Sequence, residues 1–319
     1  MEMLPAVLTA FALMASGMAQ AETWPTQQVR VLIPFAAGSS TDIVPRIVFE
    51  QMQEQVGQSI VVENRPGGAG AIAVGAVAKS EPNGYTLLAH SNAFVTAPAI
   101  QDMPYDPVQD FAGITPLGNV PLVLVISPAK NIKTLQELVA AAKSHPGSIN
   151  YAAAGVGSPP HLTAERFRLA AGFQGQLVPF KGAPEALTEV MTGRVDFYFC
   201  PLPAALPFIR DGRLLPLAVS SSTRASALPN VPTTIEAGYP NSDFDFWIGM
   251  AAPKKTPRTI VTSIYQATVK ALETPFVRQK LGDVGAEQMI MQPEAFDERI
   301  ARETAIAITL AKAAGIAAH

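Results

Sequence analysis

The chain has 319 residues, 48% of them hydrophobic and only 15% charged, a balance that excludes a disordered chain and suits about two packed domains of roughly 150 residues each. A formal net charge of −3, with no Lys/Arg-rich run and no basic patch interleaved with aromatics, excludes nucleic acid as a partner. The single cysteine, Cys200, excludes an internal disulfide and a multi-cysteine metal site, and reads as a small buried apolar residue.

In chain order, Leu4 to Met18 is an apolar run followed by Ala19-Gln20-Ala21, the small-x-small pattern of a signal-peptidase site. Residues 1–21 are expected to be a cleaved signal peptide, although no Lys or Arg precedes Arg30, and the mature periplasmic chain to begin at Glu22. The run falls short of the about 20 apolar residues of a membrane span, and no later segment has that length.

Val29-Arg-Val-Leu-Ile33 predicts a strand closed by Pro34, and Gly38 allows a tight turn into a helix over Ile43–Val56, which Gly57 stops. Ser39, Ser40 and Thr41 stand where the first N–H groups of that helix lack partners, and Ser39 with Asp42 resembles a capping box. Open amides at the positive end of a helix dipole favour a carboxylate or phosphate, so the stretch predicts an anion site; a plain, well-capped strand-to-helix turn is the alternative. Ser59–Asn64 is the next strand. Gly68-Ala-Gly-Ala-Ile-Ala73 spells a dinucleotide fingerprint, but the following strand, Tyr85–Ala89, runs into His90-Ser91-Asn92 without the acidic residue such a site needs, so these glycines read as a turn.

Tyr105–Ile114 reads as a polar connection, Val120–Ser127 as a strand buried on both faces, and Thr134-Leu-Gln-Glu137 as the capping box of a helix to Lys143. Ile149–Ala153 feeds a second small-residue loop, Gly155-Val-Gly-Ser-Pro-Pro-His161, with Ser158 and His161 at its mouth. Leu177–Phe180 and Lys181-Gly182-Ala183 repeat the arrangement before a helix to Met191. Val195–Cys200, Leu215–Val219 and Phe246–Ala251 read as strands, and Pro257–Leu281 and Pro293–Ala314 as helical patterns. The alternation predicts an α/β protein with parallel, doubly wound sheets.

Pro34-Phe-Ala-Ala-Gly-Ser-Ser-Thr-Asp42, Glu63-Asn-Arg-Pro-Gly-Gly68, Asn83–Leu87, Tyr151–Leu162, Pro179–Ala183, Gly193–Asp196 and Leu228–Thr233 follow one another along nearly all of the mature chain. In that order they resemble the Bug (Bordetella uptake) family, the solute-binding proteins of tripartite tricarboxylate transporters. Ser39 stands where the family motif has a second glycine, and Cys200 where many relatives carry Asp. The resemblance implies a periplasmic-binding-protein type II fold: two α/β lobes, about 22–120 plus 246–319 and about 121–245, with a ligand cleft between them. The crossovers would lie near Gly118–Leu122 and Asp243–Trp247. It further implies a monomeric periplasmic receptor that captures a small organic carboxylate and passes it to membrane permease subunits.

The residues matching that scheme are the amides and hydroxyls of Gly38, Ser39, Ser40 and Thr41 with Asp42. Gly157, Ser158, His161, Gly182 and Ala183 stand opposite, and Phe35, Phe180, Phe197 and Trp247 are candidate apolar walls. No cofactor is expected, and four histidines without ligand spacing predict no metal site. Ser, His and Asp near one cleft raise a hydrolase, but Gly157-Ser158-Pro159-Pro160 breaks the G-x-S-x-G elbow, so His161 reads as a donor or a cap and no catalytic residue is assigned. A secreted enzyme using the same cleft and a receptor feeding a sensor kinase are the alternatives. No Arg or Lys lies within 35–42 or 155–161, leaving Lys181 as the nearby cation. Two such mouths face to face predict a dicarboxylate, either an aromatic diacid such as terephthalate or a short aliphatic one.

Overall fold

A computed structural model describes residues 24–180 and 182–316; the expected signal peptide and Lys181 lie outside the described residues. The chain runs β1 (Val29–Ile33), α1 (Ser40–Val56), β2 (Ile60–Asn64), α2 (Ala71–Ala78), β3 (Thr86–Ser91), α3 (Ala93–Thr96), β4 (Phe111–Asn119), β5 (Leu122–Ile126), α4 (Leu135–Ser144) and β6 (Ile149–Ala153). It continues through α5 (Pro159–Ala171), β7 (Gly175–Pro179), α6 (Ala183–Met191), β8 (Phe197–Pro201), α7 (Leu202–Arg210), β9 (Leu215–Val219), β10 (Trp247–Pro253), α8 (Arg258–Leu272), α9 (Pro275–Asp283) and α10 (Pro293–Ala314). Among the described residues no helix is long and apolar enough to cross a membrane.

The strands form two five-stranded sheets, ordered β2-β1-β3-β10-β4 and β7-β6-β8-β5-β9. Both are mixed, which corrects the expectation of parallel sheets: β10 runs antiparallel to β3 and β4, and β5 antiparallel to β8 and β9. Parallel neighbours need a crossover helix, whereas β5 and β10 are the strands by which the chain enters each sheet from the other, with no strand–helix unit before them. Each sheet and its helices make one α/β lobe.

Burial on both faces explains the strand sequences. Every residue of β5, Leu-Val-Leu-Val-Ile, is buried. Leu122, Leu124 and Ile126 point to the layer that holds Phe167, while Val123 and Val125 point to the layer of Leu187 and Ala205. In β1, Val29, Val31 and Ile33 pack towards α1 while Leu32 packs towards α2 and α10.

Three elements depart from the pattern read above. β4 begins inside the segment expected to be a connection; its Gly113 N–H donates to Asp297 of α10 (2.7 Å), so tertiary pairing overrides a Gly- and Pro-containing sequence. α7 follows β8 directly, hidden by Pro203 at its start and Pro207 inside it. The pattern Pro257–Leu281 breaks into α8 and α9 at Thr274, whose hydroxyl caps Val277 (3.3 Å) ahead of Pro275.

Candidate functional site

The two small-residue loops become the N-terminal mouths of α1 and α5, one in each lobe. At α1, Gly38 has φ +83°, and Ser39 is the extended cap residue (φ −73°, ψ 159°). Asp42 is only 3% exposed. Its carboxylate folds back on the loop: Oδ2 accepts the Gly38 N–H (2.8 Å), and Oδ1 accepts Arg46 Nε (2.8 Å) and Asn64 Nδ2 (2.9 Å). Asn64 also donates to the Phe35 carbonyl (2.9 Å), and Arg46 to Asn64 Oδ1 (2.8 Å). Burial pushes the Asp42 carboxyl up, but the Gly38 amide, Asn64 and the Arg46 guanidinium outweigh it and hold the group below the ordinary carboxylate range. Asp42 is thus ionised, and Arg46 cancels its charge.

The expected capping box is absent. The Ser39 side chain makes no cap bond, and its Oγ is buried without a partner. Asp42 is a brace with both oxygens engaged, not a group free to meet a ligand. Thr41 is buried as well, 4% exposed. The donors left open at α1 are the Ser40 and Thr41 amides, which make no hydrogen bond among the described residues.

α5 repeats the geometry with different chemistry. Gly157 has φ +77°, Ser158 is the extended cap (φ −65°, ψ 157°), and the Gly157 N–H donates to His161 Nδ1 (2.9 Å). An imidazole that accepts at Nδ1 carries its proton on Nε2, so His161 is neutral. Burial lowers its pKa, with Glu165 opposing and Arg168 adding to the shift. Glu165, one turn on, is held by the Tyr151 hydroxyl and by Arg168 (2.7 Å). The Ser158 Oγ donates to the Gly155 carbonyl (2.8 Å). Pro159 and Pro160 have no N–H to offer, so the first open amide of α5 is that of His161.

Gly182 caps α6 and accepts the Ala186 N–H (3.3 Å), with Ala183 opening that helix. Phe180 is half-buried on the lobe-two core, and Phe35 is half-buried with its ring edge-on to His90 at 5.1 Å. Phe197 and Trp247 are corrections. Phe197 is fully buried against Tyr151, Phe167, Phe173 and Phe199, and Trp247 is 1% exposed with Nε1 donating to Glu303 (2.7 Å). Both are core, since successive side chains of β8 and β10 face covered sheet surfaces. Cys200 is likewise enclosed, and burial pushes its thiol well up.

The lobes touch at this place. A Cβ built on Gly157 would stand 3.0 Å from Ile100 Cδ1, so the α5 loop rests on the segment just after α3. Sequence reasoning missed Ile100, Arg46, Asn64 and His90. Asn64 was signalled by its place in Glu63-Asn64-Arg65; His90, behind Phe35, had no signal. Its pKa is driven down to about 3 by burial, its Nδ1 is bonded to the Ser91 carbonyl (2.7 Å), and its Nε2 has no partner. Among the described residues of the site Ser158 and His161 form no nucleophile–base pair: Ser158 is spent on a carbonyl, and His161 Nδ1 on an amide.

The family model described as Tripartite tricarboxylate transporter family receptor matches residues 44–315. The chain belongs to this family. Its members are periplasmic solute-binding receptors, not enzymes. Among them, protein BugT of Bordetella pertussis is 35% identical over 277 residues, covering 86% of this chain and 85% of BugT. A solved structure of R. palustris Rpa4515 with adipate is 33% identical with TM-score 0.80, covering 93% of this chain and 100% of that one. MatC from Rhodopseudomonas palustris with bound malate is 29% identical with TM-score 0.75, covering 90% and 99%.

Proposed function

We propose that this protein captures a small dicarboxylate in the periplasm and delivers it to the membrane subunits of a tripartite tricarboxylate transporter. The observation that carries the reading is the pair of matched glycine–serine helix mouths, one per lobe, with no uncancelled cation in the described part of either. Each mouth offers oriented neutral donors to one carboxylate. Adipate with Rpa4515 and malate with MatC support the class of ligand. With Phe197 and Trp247 in the core, only Phe35 and Phe180 remain as walls, which favours an aliphatic diacid over a flat aromatic one such as terephthalate. The lobes are taken as about 22–120 plus 246–319 and 121–245, and residues 1–21 as removed before Glu22, which N-terminal sequencing of periplasmic protein checks.

A thermal-shift screen of malate, adipate, terephthalate and their monoacid counterparts tests the proposal. A ligand at about 100 times its Kd adds about 2.7 kcal/mol of stability. Diacids are expected to shift the transition and monoacids to do so far less at the same concentration. A flat response to every diacid removes the reading.

A further inference from the structure

A cavity of about 280 Å³ lies beside the returning crossover, closed by α3, α5 and α10, and none of the mouth residues Gly38–Asp42 or Gly157–His161 lines it. At about 30 Å³ for each water it has room for a short chain of atoms. Leu162, Ile306 and Leu310 give it an apolar side. Its acids are all engaged: Asp243 holds Arg166 (3.2 Å), while Asp245 (3.0 Å) and Glu303 (2.6 Å) hold Arg299. Arg302 also lines the cavity but makes no ion pair among the described residues.

Arg302 further borders an open groove of about 600 Å³ along α5 and α10 that contains Leu169, Ala305 and Ala313. Leu169 and Ile306 are 40% and 39% exposed there. One guanidinium without an ion-pair partner among the described residues thus stands where a partly open cavity, polar on one side and apolar on the other, meets an open groove. We propose that this is a second ligand site, for a monocarboxylate with an unbranched alkyl chain, its carboxylate on Arg302 and its chain against Ile306 and Leu310. The guanidinium supplies two parallel N–H donors to a carboxylate, and the single charge sets this ligand apart from the diacid of the cleft.

The test uses the mature protein, with methyl groups of Ile and Leu labelled for NMR, titrated with hexanoate. Shifts are expected at Leu162, Ile306 and Leu310, and Arg302→Gln should weaken hexanoate about tenfold, the scale of a charged hydrogen bond. Arg302 is exposed and unpaired, so this variant keeps its fold and its response to the cleft diacid. Absence of shifts, equal hexanoate affinity in Arg302→Gln, or shifts confined to Ile100 beside Gly157 overturns the proposal. Only loss of the diacid response in the unmodified protein would touch the cleft reading.

Discussion

The mouths of α1 and α5 share a left-handed glycine, an extended serine cap and a side chain four residues beyond the glycine that takes its N–H, yet at α1 that side chain is the Asp42 carboxylate and at α5 the His161 imidazole. The backbone of such a helix mouth therefore specifies an acceptor at that position but not its charge. Where the acceptor is charged, Arg46 cancels the charge beneath the loop; left alone, that charge would repel the proposed diacid. Where it is neutral, no cation is needed. The caps differ in the same sense: Ser158 is tied to its loop, whereas the Ser39 hydroxyl is left without a partner.

Removing the two acceptors should separate the mouths most widely. Asp42→Ala leaves Arg46, Asn64 and the Gly38 amide without their partner, and is expected to cost about 3 kcal/mol, the lower end for breaking a buried pair, because Arg46 is half-exposed. His161→Phe keeps a ring but strands one amide, at about 1–2 kcal/mol. Urea denaturation measures both, and equal losses would mean the charge at α1 does nothing.

Ser39→Ala should leave stability unchanged, since it deletes an unpaired hydroxyl, while weakening the cleft diacid by about 1.5–3 kcal/mol. Ser158→Ala should do the reverse, losing about 1 kcal/mol of stability with a smaller effect on binding. Calorimetry on both variants decides whether the unpartnered hydroxyl is the ligand's.

Gly38→Ala and Gly157→Ala each force an L side chain into left-handed backbone, at about 1–2 kcal/mol of stability. Only the second also pushes on Ile100, so its affinity should fall further, and adding Ile100→Ala should restore binding without restoring stability. If Gly157→Ala binds as Gly38→Ala does, the contact of the α5 loop with Ile100 has no part in binding.

The smallest effect is that of pH on binding. Asp42 titrates below the carboxylate range and burial holds His161 below the ordinary imidazole range, so affinity should change less than about twofold between pH 7 and 9. Stability behaves otherwise. His90, with a pKa of about 3 against 6.5 unfolded, contributes stability that is complete above 6.5 and is lost as pH falls towards 3, by about 1.4 kcal/mol per unit. A His90→Gln variant should flatten that slope in acid-unfolding curves.

The parts of the site that lie on one stretch of chain were legible: Gly38-Ser39 and Gly157-Ser158 punctuate a strand–helix junction with residues few other places need. What crosses the fold was not. Asn64 reaches loop 35–42 from the end of β2 because β1 and β2 are paired in register up to Ile33 and Asn64. Phe197 looked like a wall because aromatic residues serve pockets and cores alike, and only its neighbours decide. The two lobes were legible through the motifs that resemble the family, while the direction of β5 and β10 was not, since alternation of strands and helices says nothing about which sheet a strand joins.

That placement of β10 governs how the molecule is made. Among the described residues β4 has β10 as its only neighbour in the sheet, and β10 separates it from β3. A growing chain holding β1 to β4 therefore has two strand edges and no strand to join them until β10 has followed, and the whole of lobe two, from β5 to β9, emerges in between. Lobe two is continuous and can finish first; lobe one stays divided through most of synthesis, an arrangement of long sequence separation that delays its closure. A chain in that condition keeps the edge of β3 unpaired until its last strand has emerged, so lobe one is the part of the molecule that closes last.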